Sequence, residues 1–124
     1  MTVWTVLLVG VGAAIGAPLR HLADAAAKRR FGSASPCGTF AVNVAGSLVL
    51  GAVTAGAGVF GHAVQAAAGA GFCGALTTYS TFGYEIVSLT ERGNRRTALA
   101  YLLTSVVTGV PAAAAGWALV RAAL

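Results

Sequence analysis

The residues most able to do chemistry in this sequence lie in one apolar stretch, residues 71–82, which reads GFCGALTTYSTF. The stretch combines two glycines with the hydroxyl side chains of Thr77, Thr78, Ser80 and Thr81. Glycine weakens a helix and exposes its backbone, while hydroxyl groups both donate and accept hydrogen bonds. A bilayer interior tolerates irregular backbone only where protein or a polar cavity surrounds it. We therefore interpret this stretch as the working part of a membrane protein.

Further polar side chains interrupt or terminate other apolar runs. Asn43 lies a little inside the second run, where a carboxamide is costly unless it finds partners. It can form a hydrogen bond between helices or donate into a polar path, and Ser47, one turn further on the same face, favours the second interpretation. Arg20 ends the first run. Arginine there commonly extends to the lipid headgroups, but at a pore mouth it would concentrate anions.

The fourth run carries a row of hydroxyl groups on one helical face. Tyr101, Ser105 and Thr108 are spaced by four and three residues, which places them on the same side of a helix. Such hydroxyls can bond back to backbone carbonyls or form a ladder of donors for a dehydrated anion. Glu85 lies near one end of the third run, where an interfacial or ion-paired carboxylate is favoured over a proton-linked one.

The chemistry-bearing residues do not assemble into a catalytic or metal-binding pattern. The sequence has no Ser-His-Asp or Cys-His arrangement, no paired carboxylates and no His and Cys cluster. Cys37 and Cys73 lack disulfide or metal spacing. We therefore expect no enzymatic activity.

The elements that must position these residues are membrane-spanning helices. Only 9% of the 124 residues are charged, against about 25% in soluble domains. Four apolar runs cover residues 3–19, 39–60, 64–89 and 98–120, and a helical span needs about 20 residues. The sequence thus predicts one all-α membrane domain over residues 1–124, with the long third helix broken or tilted. It has no basic stripe interleaved with aromatics, so we expect no nucleic-acid binding.

Positive charge is distributed unevenly between the connections. Seven of the eight Lys and Arg residues flank the first and third connections, and Arg121 alone lies on the opposite side. The positive-inside rule then predicts that the first and third connections are cytoplasmic. Small residues in every span, such as the Gly12 and Gly16 pair, favour a tight bundle or dimer.

These residues resemble a known family. GFCGALTTYSTF closely resembles the third-span signature of the Fluc (CrcB-like) fluoride channels, approximately GFCGGLTTFSTF. The resemblance extends to Arg20 after the first span, NVAGSLVLG in the second, and Tyr101 and Ser105 in the fourth. It covers all four spans. It implies a small four-span subunit that pairs antiparallel into a dual-topology-type dimer with two pores, through which fluoride leaves the cytoplasm passively across the plasma membrane.

The resemblance also implies binding sites. A structural sodium ion that is not transported would lie at the dimer centre, held by the backbone carbonyls of Gly74 and Thr77 at the break in the third span. Arg20 would attract anions at the pore mouth. The residues implied for the fluoride pathway are Asn43, Tyr79, Phe82, Tyr101 and Ser105.

The sequence departs from the family pattern at three positions. Tyr79 replaces a phenylalanine, which keeps the ring but adds a hydroxyl that needs a partner. Ala75 replaces a glycine beside the sodium position, and Gly109 stands where some members carry a serine. The polar track is therefore expected to be shorter in this subunit.

The charge bias suggests a hypothesis about the partner. Copies that insert in opposite orientations need nearly balanced Lys and Arg, so a strongly biased chain is expected to pair with a homologous subunit of opposite bias. A homodimer stays open as the alternative, as does a non-conducting partner subunit. A small proton-coupled multidrug antiporter also uses four spans in an antiparallel dimer, but it needs a carboxylate deep in its first span, and residues 3–19 contain none.

Overall fold

The part of the chain that the structure describes forms four helical segments, each long and apolar enough to cross a membrane. The computed structural model describes residues 2–32 and 35–124. In chain order the elements are α1 (Val3–Phe31), α2 (Cys37–Ala55), α3 (Ala57–Val64), a π-helix (Gln65–Cys73), α4 (Gly74–Leu76), α5 (Ser80–Glu91) and α6 (Arg95–Ala123). The prediction of an all-helical protein with four spans is confirmed for these residues.

The first helix continues well past the apolar run that predicted it. The predicted span ends at residue 19, whereas α1 runs to Phe31 and is stopped by Gly32, whose φ of 107° favours glycine. The added turns contain alanines, which are the best helix formers. Lys28 and its basic neighbours in the last turn stabilise the helix, because their positive charges lie at the negative end of the helix dipole. The predicted polar turn at residues 32–38 includes residues 33 and 34, which lie outside the described residues.

The second span ends earlier than the predicted run, which extends to residue 60. Helix α2 ends at Ala55, and Phe60 already belongs to α3. Within α3 the backbone is kinked at Gly61, whose φ is 81°. The π-helix follows at once, and the side-chain amide of its first residue, Gln65, donates to the carbonyl of Val53 on α2.

Close backbone contacts hold the helices together. Helix α1 packs chiefly on the π-helix, and α2 chiefly on α6. A methyl group at Gly12 would collide with the backbone of Ala67, and one at Gly51 with the backbone of Ala113. Small residues therefore bring these backbones together, as lipid-embedded bundles require.

The bundle has two chemically different ends. At one end Thr5 Oγ1 lies 3.1 Å from His62 Nε2, which joins the start of α1 to the turn before the π-helix. At the other end Gly38 packs against the backbone of Asp24. Phe40, near the start of α2, packs on the buried cluster that includes Leu89 and Ala98, at the two sides of the third connection. The first and third connections, which carry most of the cationic residues, therefore both lie at this second end.

Candidate functional site

The third span is non-helical over Thr77–Tyr79, between α4 and α5. Thr77 adopts an extended conformation, with φ −80° and ψ 158°. Asn43 of α2 holds the next residue, because its Oδ1 accepts from the Thr78 N–H at 2.9 Å and its Nδ2 donates to the Thr78 carbonyl at 3.2 Å. The backbone N–H can only donate, so it fixes the orientation of the amide. Asn43 therefore both bridges two helices and keeps one N–H for another acceptor.

This arrangement leaves two backbone carbonyls without their usual donors. In a continuous α-helix the N–H groups of Thr78 and Thr81 would serve the carbonyls of Gly74 and Thr77. Here the Thr78 N–H is bonded to Asn43, and the Thr81 N–H donates to Thr78 Oγ1 at 3.2 Å. The two carbonyls are therefore available to another partner. They belong to the residues for which the resemblance implies sodium ligation.

A cavity of about 640 Å³ opens beside the interruption, between α2, the third span and α6. We call it the central cavity. Most of the predicted pathway residues line it, together with both predicted sodium ligands. These residues are Asn43, Gly74, Thr77, Tyr79, Phe82 and Ser105.

Hydroxyl groups in the central cavity differ in their availability. Ser47 Oγ donates to the Asn43 carbonyl at 2.7 Å, so its proton is not available to another acceptor. Ser105 Oγ is buried and has no hydrogen-bond partner among the described residues. A buried hydroxyl without a partner is costly in a membrane protein. Thr108, expected on the same face, does not line the cavity, whereas Gly109 does.

The predicted aromatic residues take different positions. The rings of Phe82 and Tyr101 meet edge to face, with centroids 5.1 Å apart and planes at 72°. Tyr101 is 7% exposed and lies behind Phe82, outside the cavity wall, where its hydroxyl donates to Glu85 Oε1 at 3.4 Å. Tyr79 is 87% exposed at the edge of the cavity. Its ring contributes little to packing within the protomer.

Arg20 lies apart from these residues, in a second cavity of about 140 Å³. We call it the Arg20 cavity. Its lining consists of polar side chains, namely Arg20, His21, Asp24, Thr39, Thr78 and Thr81. Thr78 is 8% exposed and lines both cavities, so both lie beside the interruption.

The sequence pattern identified Asn43, but it did not identify the Thr78 backbone as its partner. It also did not identify Thr39, which lies one turn before Asn43 on α2. Thr39, Asn43 and Ser47 follow one another at intervals of four residues, which places them on one face of α2. Thr39 lines the Arg20 cavity, while Asn43 and Ser47 line the central cavity. The spacing could have revealed this polar face. The pairing of Asn43 with the Thr78 backbone left no pattern in the sequence.

Comparison with known proteins gives consistent matches over nearly the whole chain. Residues 7–117 match the family described as CrcB-like protein, Camphor Resistance (CrcB). A protein of Streptomyces avermitilis named fluoride-specific ion channel FluC 1 is 50% identical over 112 residues, which covers 89% of this chain and 90% of the relative. One of Frankia casuarinae with the same name is 49% identical over 123 residues, covering 94% and 95%. A Chelativorans protein named fluoride-specific ion channel FluC is 43% identical over 121 residues, covering 95% and 97%.

Proposed function

Because this chain belongs to the CrcB-like protein family, we propose that it is a subunit of a fluoride-specific ion channel that exports fluoride passively across the plasma membrane. The observation that carries the proposal is Ser105, which lines the central cavity and whose buried hydroxyl has no hydrogen-bond partner among the described residues. Four apolar helices provide the membrane setting. A buried hydroxyl in that setting needs an acceptor, and a passing anion supplies one.

The chemistry of the central cavity suits a small anion. Fluoride is strongly hydrated, so a pore must replace its water with fixed donors. Ser105 offers an uncommitted hydroxyl, and Asn43 retains one amide proton after its bond to Thr78. Aromatic ring edges carry partial positive charge, and Phe82 and Tyr79 place rings at this cavity. We assign these four residues, with Tyr101 supporting Phe82, to the fluoride pathway.

The interruption of the third span also fits a structural sodium ion. Hard cations prefer oxygen ligands, and unwound backbone in membrane proteins commonly offers carbonyls to sodium. The carbonyls of Gly74 and Thr77 have lost their helical donors. A side chain at position 74 would meet no neighbouring atom within 4 Å, so Gly74 lies on an uncovered face. We propose that these two carbonyls hold the ion where two subunits meet. The ion would neutralise carbonyl dipoles and fix the subunits together.

The uncovered face and the charge bias bear on assembly. We propose an antiparallel dimer with this face at its centre, in which the exposed ring of Tyr79 is covered by the partner. Seven of eight cationic residues flank the first and third connections. This chain would therefore insert with those connections in the cytoplasm. Its partner would be a homologous subunit of opposite bias.

The decisive experiment measures fluoride release from liposomes with a fluoride electrode. The chain is reconstituted alone and together with a homologous subunit whose Lys and Arg distribution is reversed. Valinomycin and potassium balance the charge, and chloride release serves as the selectivity control. We expect rapid fluoride release from the mixed assembly and little chloride release. Absence of fluoride release from both preparations would overturn the channel proposal.

The same experiment tests assembly. If this chain alone releases fluoride rapidly and identical copies cross-link antiparallel, the heteromeric proposal is wrong while the channel proposal stands. Replacing sodium with N-methylglucamine on both sides tests the ion. We expect loss of dimer stability and of efflux, and unchanged efflux after exhaustive sodium removal would refute the structural role of sodium.

A further inference from the structure

Asp24 is an unusual component of the Arg20 cavity. The other side chains of that cavity can all donate hydrogen bonds, whereas an ionised carboxylate only accepts them. Asp24 Oδ2 lies 2.9 Å from Lys28 Nζ. Asp24 Oδ1 is buried and has no hydrogen-bond partner among the described residues. The cavity therefore contains a negative group that competes with any arriving anion for the same donors.

Asp24 stands between two cations on one face of α1. Arg20 precedes it by four residues and Lys28 follows it by four, so each lies one turn away. Within residues 2–32 and 35–124, the pair with Lys28 is the one ion pair closer than 4.0 Å. The guanidinium of Arg20 is thus not neutralised by a carboxylate, although Asp24 lines the same cavity.

Helix geometry explains why Lys28 holds the carboxylate. An acidic residue four positions before a basic residue is the favourable order for such pairs. Side chains on a helix lean toward its N-terminus. Lys28 therefore reaches back toward Asp24, and Asp24 leans toward Arg20. Without Lys28, Arg20 would be the nearest cation along the natural direction of the Asp24 side chain.

We propose that the Asp24–Lys28 ion pair is a positioning pair that keeps the Asp24 carboxylate off Arg20 and so leaves the cation of the Arg20 cavity available to fluoride. The inference rests on the proposed channel function. Loss of Lys28 would allow Asp24 to neutralise Arg20, and the local concentration of fluoride at the cavity would fall. A charged cleft raises local ion concentration and entry rates by about tenfold or more, so a loss of about threefold to tenfold is expected.

The test compares Lys28→Met with Arg29→Met in the conducting assembly. Both variants remove one positive charge from the same exposed turn of α1, but only Lys28 contacts Asp24. We expect Lys28→Met to lower efflux about threefold to tenfold at low fluoride concentration and much less at saturating fluoride. Arg29→Met is expected to change efflux less than twofold at both concentrations. Lys28→Arg, which can still pair with Asp24, should behave as wild type.

The second part of the experiment asks whether a second substitution restores the efflux that Lys28→Met lowers. Adding Asp24→Asn to Lys28→Met removes the competing carboxylate, and efflux at low fluoride should return to within about twofold of wild type. Equal effects of Lys28→Met and Arg29→Met would overturn the inference, because a general loss of surface charge would then explain both. Failure of Asp24→Asn to restore efflux in a correctly folded protein would also overturn it. Absence of efflux in the wild-type assembly is a different outcome, since it refutes the channel function itself.

Discussion

Replacement of Asn43 by aspartate separates the two roles of this side chain with almost no change in shape. The carboxylate can still accept from the Thr78 N–H, so the stronger of the two contacts to the interruption survives. It cannot donate to the Thr78 carbonyl or to an anion. Asn43→Asp therefore weakens the link between α2 and the third span and places a negative charge on the wall of the central cavity.

The two consequences differ in size. Loss of the Asn43 Nδ2 bond, which leaves a carboxylate oxygen facing the Thr78 carbonyl, should cost about 1–3 kcal/mol of stability. A fluoride ion about 4 Å from the new carboxylate, at an effective dielectric constant of about 20, is repelled by about 4 kcal/mol. At about 1.4 kcal/mol per tenfold change, that barrier slows permeation about a thousandfold. Efflux should therefore collapse while the protein remains folded.

The assay is fluoride release from liposomes at matched protein density, with size-exclusion chromatography in detergent as the folding check. Asn94→Asp is the matched control, since it makes the same chemical change at the exposed residue that caps α6. An acidic residue at a helix N-terminus is favourable, so this control should keep wild-type efflux. Efflux of Asn43→Asp within tenfold of wild type, in a monodisperse preparation, would refute the assignment of Asn43 to the pathway.

Three further predictions concern the cavity and the packing around it. Ser105→Ala should lower efflux about tenfold because it removes the hydroxyl proposed to donate to fluoride. Thr104→Ala, on the exposed face of α6, should leave efflux unchanged. Similar efflux from both variants would contradict the role of Ser105. Gly12→Ala should destabilise the protein by about 1–3 kcal/mol in thermal unfolding, since the methyl group meets the backbone of the neighbouring helix. Gly10→Ala has open space around it and should be at least as stable as the wild type, because alanine is the better helix former. Equal stability of the two variants would argue against the packing. Tyr79→Ala should lower fluoride efflux at least tenfold and weaken dimerisation in cross-linking, because the exposed ring is proposed to be covered only in the assembly.

The membrane-spanning helices were predictable because lipid imposes a strong compositional constraint. Apolar runs long enough to cross a bilayer are rare outside membrane proteins, and all four predicted runs correspond to helical segments. Their ends were less predictable. Helix α1 extends through polar residues to Phe31 because helix formation by alanine and basic residues does not depend on burial. The kink before the π-helix lies at Gly61, whose φ of 81° favours glycine.

The candidate site was predictable in its residues but not in its connections. Hydroxyls and an amide in an apolar run are conspicuous, so Asn43 and Ser105 could be named from the sequence. Their hydrogen-bond partners could not be predicted from the sequence. Ser47 and Ser105 look alike in the sequence. In the structure Ser47 donates its hydroxyl proton to a backbone carbonyl, whereas Ser105 has no hydrogen-bond partner within the described part of the chain. Tyr101 was also expected on the pathway, and only the structure shows that its ring contacts the ring of Phe82 edge to face.

The sequence by itself determined the four-span helical architecture, the uneven distribution of positive charge and the polar residues that interrupt the apolar runs. These properties follow from composition and spacing along one chain. The tertiary structure alone decided which backbone groups are unpaired. Asn43 takes the N–H of a residue 35 positions away, and this contact releases the carbonyl of Gly74. Such a contact depends on how two helices lie against each other, which local sequence pattern does not encode.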